Sequence, residues 1–161
     1  MNVLQPYASR IPFMAVVGNH ERASDFAQFK ARFAGYNLTA AASTSSSPLW
    51  YSYNHGLLHV VNIDTEVFSY GTAAEVQAQY DWLYRDVHAI NRAVTPWVVA
   101  NGHKTRFMKG TDFSRLDTIF KTIGVDLYVV RRPSAPPPPA AASCVCVLPT
   151  LPTPPPGRTP P

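Results

Sequence analysis

Apolar positions along this chain fall into short runs whose period changes from one run to the next. Ile11 to Val17 (IPFMAVV) is a continuous apolar run ending at Gly18, which predicts a buried strand. Ser24 then stands as an N-cap before DFAQFKARF. There Phe26, Phe29, Lys30 and Phe33 recur at three- and four-residue spacing, predicting a short helix with an aromatic face, closed by Gly35. The small, polar stretch 39–48 reads as a loop. Two β-rich runs, Leu49–Tyr53 and Leu57–Ile63, flank Asn54-His55-Gly56 and predict a hairpin. Val76, Tyr80, Leu83, Val87 and Ile90 alternate spacings of four and three, so an amphipathic helix is expected over 74–91. A strand follows Pro96 (Trp97–Ala100) and ends at Asn101-Gly102-His103. A helix over 112–122 with Phe113, Leu116 and Phe120 on one side, then a strand over 125–130, complete the pattern.

The resulting order, β-α-β-β-α-β-α-β, is that of an α/β (α+β) domain, and polar residues bunch just after strands. In such sheets ligands bind beyond the carboxyl ends of the strands. Two motifs stand there. Gly18-Asn19-His20-Glu21 follows the first strand: the glycine permits a sharp turn, Asn19 offers an amide oxygen, and His20 an imidazole able to meet a phosphoryl oxygen. Glu21 offers a carboxylate that can orient its neighbours. A polar turn with Asn19 in a left-handed conformation would leave the same four letters. Gly102-His103 repeats the arrangement after another strand, and His103 becomes a plausible ligand partner for Asn19. His55 lies in a turn and His88 off the apolar stripe of its helix, while His59 alternates with apolar neighbours and suits the core. Asp64 and Glu66 make an acidic pair after a strand.

Composition divides the chain. Residues 131–161 hold twelve of the sixteen prolines, both cysteines, three arginines and no acidic residue, so of the net charge of +4 this tail carries +3 and residues 1–130 about +1. We therefore expect a globular body over 1–130 and a disordered, proline-rich tail over 131–161. The body has no Lys/Arg stripe, which argues against nucleic acid as a partner. No apolar run approaches the roughly 18–20 residues that span a bilayer, and nothing resembling a cleavable signal peptide follows Met1. Cys144 and Cys146 form a lone pair without the second knuckle a zinc site needs. Pro136–Pro139 and Pro154–Pro156 read as a ligand for SH3- or WW-type domains, and Asn37-Leu38-Thr39 is a glycosylation sequon.

ASRIPFMAVVGNHE, FKARF, LWYSYNHGLLHVVNIDTE, YDWLYRDVHAINR, PWVVANGH and IGVDLY, taken in order, resemble successive blocks of the purple acid phosphatases, within the calcineurin-like metallophosphoesterases. The resemblance implies a β-sandwich flanked by helices, present here in part. It also implies a phosphate-monoester hydrolase with iron(III) paired with zinc, manganese or iron(II), in which a metal-bound hydroxide attacks phosphorus. Carried over, Asn19 and His103 would ligate the divalent metal, His20 would contact the substrate phosphate and Glu21 would support them. Asp64 and Glu66 would lie near the site, outside its ligand set. The family works in secretory, lysosomal or extracellular space. Its GDxG, GDxxY and GHxH motifs have no counterpart here: the sequence contains no Gly-Asp pair, and Val129-Val130-Arg131-Arg132-Pro133 follows IGVDLY. The expectation is a chain truncated at both ends that binds no stable metal pair and does not hydrolyse esters alone. A non-catalytic fragment or splice product acting through its proline-rich tail is the alternative.

Overall fold

A computed structural model of the chain describes residues 13–34, 47–105 and 113–130, isolated positions at 6, 9–10 and 45, and the backbone of 144–146. After a 3-10 turn at Asn19–Arg22 come α1 (Ala23–Arg32), β1 (Tyr51–His55), β2 (Leu58–Asn62), α2 (Val67–Tyr70) and α3 (Ala73–His88). β3 (Trp97–Gly102), α4 (Ser114–Ile123), β4 (Leu127–Val130) and β5 (Cys144–Cys146) complete the order. The strands form one mixed sheet in chain order, β1-β2-β3-β4-β5. The outer pairings are antiparallel, while β2, β3 and β4 run parallel, with Val61 opposite Ala100 and Ala100 opposite Tyr128. Parallel neighbours need a crossover, and α3 and α4 supply the two required here.

Strand alternation assigns the faces. Ser52, His59, Val61, Val98, Ala100, Tyr128 and Val130 fall on one face and are buried under α3 and α4, where Tyr80, Trp82, Leu83, Val87, Leu116 and Phe120 complete the core. The polar members of that face are satisfied there. The Asp86 carboxylate of α3 accepts from the Ser52 hydroxyl and lies 3.0 Å from His59 Nε2, whose Nδ1 is 2.7 Å from Asn54 Oδ1. His59 is thus a core histidine, as its alternation implied, and His55 and His88 are exposed. From the other face the Tyr51 hydroxyl donates to Ala15 O at 2.8 Å, tying residues 13–17 to the sheet.

Several elements differ from the sequence reading. Residues 13–17 form no strand and join no ladder among the described residues. Of the run expected to be buried, Val17 is fully buried, Met14, Ala15 and Val16 are half-buried and Phe13 is 42% exposed. Ser24 is no N-cap: α1 follows directly on the 3-10 turn, its N-cap position is Arg22, and Ser24, Asp25 and Phe26 take φ of 51°, 55° and 58°. The hairpin turn is Gly56-Leu57, with Gly56 at φ 56°, because His55 pairs with Leu58 and remains in the strand. Gly35 and Asn37 lie outside the described residues, as does the tail apart from β5, whose backbone pairs antiparallel with β4.

Candidate functional site

The parallel register decides what stands at the strand ends. Asn62 is opposite Asn101, so residues 63–66 leave β2 beside residues 102–104 leaving β3. Two close approaches shape the turn there. A Cβ on Gly102 would lie 2.5 Å from Tyr128 Oη and 2.8 Å from Thr65 Cγ2; one on Gly18 would lie 2.8 Å from His103 Nδ1. Only glycine at position 18 lets the His103 ring pack flat on the backbone that begins the Asn19–Arg22 turn.

That contact joins residues far apart in sequence. His103 Nε2 lies 2.9 Å from Asn19 Oδ1 across a separation of 84 residues. With a proton on Nε2 the ring donates to the amide oxygen. The turn is closed on itself: Glu21 N–H donates to Gly18 O at 3.1 Å, and Gly18 N–H donates to Glu21 Oε2 at 3.0 Å. Glu21 therefore orients Asn19 through the backbone. His20 is exposed beside them.

Beneath this pair sits a buried polar cluster, of which the sequence pointed to Asp64 and Glu66 but not to Lys104. Lys104 is 4% exposed and Glu66 fully buried, with Lys104 Nζ 3.1 Å from Glu66 Oε2 and 2.7 Å from Ser69 Oγ. The backbone of Lys104 is held at both ends, its N–H donating to Thr65 Oγ1 at 2.9 Å and its carbonyl accepting from Tyr128 Oη at 3.0 Å. Asp64 is buried too. Its Oδ1 accepts from the N–H groups of Glu66 and Val67, and its main chain pairs both ways with the Gln79 side-chain amide. Its Oδ2 has no hydrogen-bond partner among the described residues. Burial pushes the Asp64 carboxyl up to about 7, against two backbone hydrogen bonds that lower it. The signal for the cluster was present as Asp64-Thr65-Glu66 and His103-Lys104 at neighbouring strand ends. It becomes readable once β2 and β3 are known to be parallel.

The donor set can be tested against a metal. Two ligand atoms bound at right angles, each about 2.1 Å from one cation, stand roughly 3 Å apart. The Asn19–His103 spacing suits two adjacent ligands of one divalent ion. A dinuclear centre asks for more, including a bridging anion. Glu21 is committed to Gly18, and Asp64 and Glu66 lie buried behind the strand ends. Among the described residues no three His, Cys, Asp or Glu side chains come together to hold a metal ion. The described residues supply no bridging anion for a metal pair, and the Asn19–His103 spacing is the one two adjacent ligands of a single ion would show.

A family model described as calcineurin-like phosphoesterase matches residues 1–130. Acid phosphatase type 7 of Homo sapiens is 33% identical over 117 residues, which make up 70% of this chain and 25% of that protein. Purple acid phosphatase 15 of Arabidopsis thaliana is 36% identical over 105 residues, 62% of this chain and 18% of that protein. The chain thus spans a quarter or less of the length of these relatives. A solved purple acid phosphatase from yellow lupin (Lupinus luteus) seeds overlaps 53% of this chain and 17% of its own, at 17% identity and a TM-score of 0.42, too slight a likeness to add to the sequence relation. No helix among the described residues is long and apolar enough to cross a membrane.

Proposed function

The chain belongs to the calcineurin-like phosphoesterase family, and on that premise we propose that it carries part of an acid phosphatase site for phosphate monoesters. In this reading Asn19 and His103 hold the divalent ion, His20 contacts the phosphoryl oxygens and Glu21 fixes the turn that presents Asn19. The 2.9 Å approach of Asn19 Oδ1 to His103 Nε2 is the observation that carries it. Residues 1–130 form the body that bears these groups, and 131–161 a proline-rich tail whose residues 144–146 add β5 to the body's sheet. The relatives' names carry acid phosphatase activity to the proposal; the monoester class and the secretory, lysosomal or extracellular setting come from the family resemblance.

The same donor set limits what these 161 residues achieve alone. Two neutral ligands leave a divalent ion mostly solvated. Nothing in the described set supplies the anionic bridge of the iron–zinc, iron–manganese or di-iron pair that the family implies. Hydrolysis of para-nitrophenyl phosphate by the purified chain, assayed from pH 4.5 to 7 with added iron, zinc or manganese, is expected to stay at the level of the metal-only control. Inorganic phosphate should still shift the NMR signals of His20 and His103. Turnover that disappears in His103→Ala would contradict the inactivity. Phosphate that leaves both histidines unmoved would remove the site assignment.

A further inference from the structure

The family site as read above ends at Glu21, but the turn continues one residue further. In a 3-10 turn side chains at i and i+3 eclipse, so Arg22 projects on the same side as Asn19. Its guanidinium carbon lies 4.2 Å from the centre of the Tyr70 ring. On the other side of the mouth, Lys104 follows His103 directly, and its Nζ lies 4.8 Å from the centre of the same ring. The contacts close a circuit: Asn19 to His103 by the side-chain pair, His103 to Lys104 by the chain, Lys104 and Arg22 to Tyr70 by cation–π contact, and Arg22 back to Asn19 through the turn.

The carboxylates around this circuit are engaged away from Arg22. Lys104 is paired with Glu66, Glu21 is bonded to Gly18 N–H, and Asp25 is paired with Lys30 at 2.6 Å. Arg22 has no carboxylate partner among the described residues and is exposed, as is Tyr70, 50% accessible at the end of α2. An aromatic face braces a guanidinium while leaving its donor edge open, and that fork matches two oxygens of a phosphate.

We propose that Arg22, braced on Tyr70, forms an anion subsite beside the Asn19–His103 pair and selects phosphate esters whose leaving group carries a second phosphoryl group. The proposal rests on the phosphoester reading of that pair: one phosphoryl group lies at His20 and His103, the next at Arg22. A single phosphate occupies only the first position.

Inorganic pyrophosphate and orthophosphate serve as probes, with binding to the intact chain followed by NMR of the His20, His103, Arg22 and Tyr70 side chains at fixed ionic strength. Pyrophosphate should bind at least tenfold more tightly than orthophosphate and shift all four side chains. Arg22→Ala should remove most of that preference while leaving orthophosphate binding within about twofold. Arg22→Lys should keep part of the preference, and Tyr70→Leu should weaken it. Arg32→Ala, which removes an equal charge from the exposed end of α1, should change nothing. Equal affinity for the two anions, or an unchanged preference in Arg22→Ala, would overturn the subsite even while orthophosphate still shifts His20 and His103. If neither anion shifts those histidines, the phosphoester reading fails, and this proposal with it.

Discussion

A glycine and a buried acid set the sharpest constraints at the level of single residues. Gly18→Ala would place a methyl 2.8 Å from His103 Nδ1, so the ring must leave Asn19. Overpacking of this kind costs typically about 1–3 kcal/mol. The variant should lose that stability in urea unfolding and lose the phosphate-induced shift of His103 in NMR. Asp64 makes a prediction in pH. Its folded-state carboxyl titrates near 7, against an ordinary value of 3.8, so between those values the folded chain holds a proton that the unfolded chain has released. That contribution is fully present below the ordinary value and is lost as pH rises through about 7. Asp64→Asn keeps the acceptor for the Glu66 and Val67 N–H groups without the charge. Its melting temperature should exceed the parent's by several degrees at pH 8, and the gap should close or reverse near pH 4; a gap independent of pH would show that Asp64 does not titrate as described. Asn19, His20, Glu21 and His103 were readable because each follows an apolar run and a glycine. Lys104 was not, because a lone lysine after a histidine reads as solvent-facing until the strand beside it is known to bring Glu66 underneath.

Within the elements, the long amphipathic pattern was the most legible, because a stripe of four- and three-residue spacings fits no other period. The helix over 74–91 appears as α3, Ala73–His88, and Tyr80, Leu83 and Val87 are buried. Its N-terminus carries a reciprocal cap: the Glu75 N–H donates to Thr72 Oγ1 at 3.2 Å, and the Thr72 N–H to Glu75 Oε2 at 2.7 Å. Thr72→Ala should therefore cost about 1 kcal/mol in chemical denaturation, and the cap also holds the Glu75 carboxyl below the ordinary range. α1 shows where local pattern fails. Its aromatic spacing predicted a helix, but three consecutive left-handed residues at Ser24–Phe26 are invisible in a sequence with no glycine there. Such a conformation costs about 1–2 kcal/mol per non-glycine residue. Ser24→Gly should then raise stability by up to about 1 kcal/mol; a loss would mean that the backbone there is not left-handed.

Across the whole molecule, one buried ion pair links the two parallel strand ends that build the site. Lys104 and Glu66 are both out of water, so Lys104→Met alone leaves a buried carboxylate and should cost about 3–5 kcal/mol, with Glu66→Gln added to it recovering most of the loss. A double variant no more stable than Lys104→Met would deny the pairing. The same scale explains what the sequence could not supply. Element order and the polar residues after strands implied an α/β layout with its chemistry at the carboxyl ends. The parallel register that places residues 64–66 under 103–104 is a long-range fact that no local period encodes. The central claim is that the Asn19–His103 pair is a partial shell for one divalent ion. Zinc titration of the chain by isothermal calorimetry tests it most directly. The account predicts a single weak site, lost in both Asn19→Ala and His103→Ala. Two tightly bound ions per chain, or one that survives both substitutions, would contradict it.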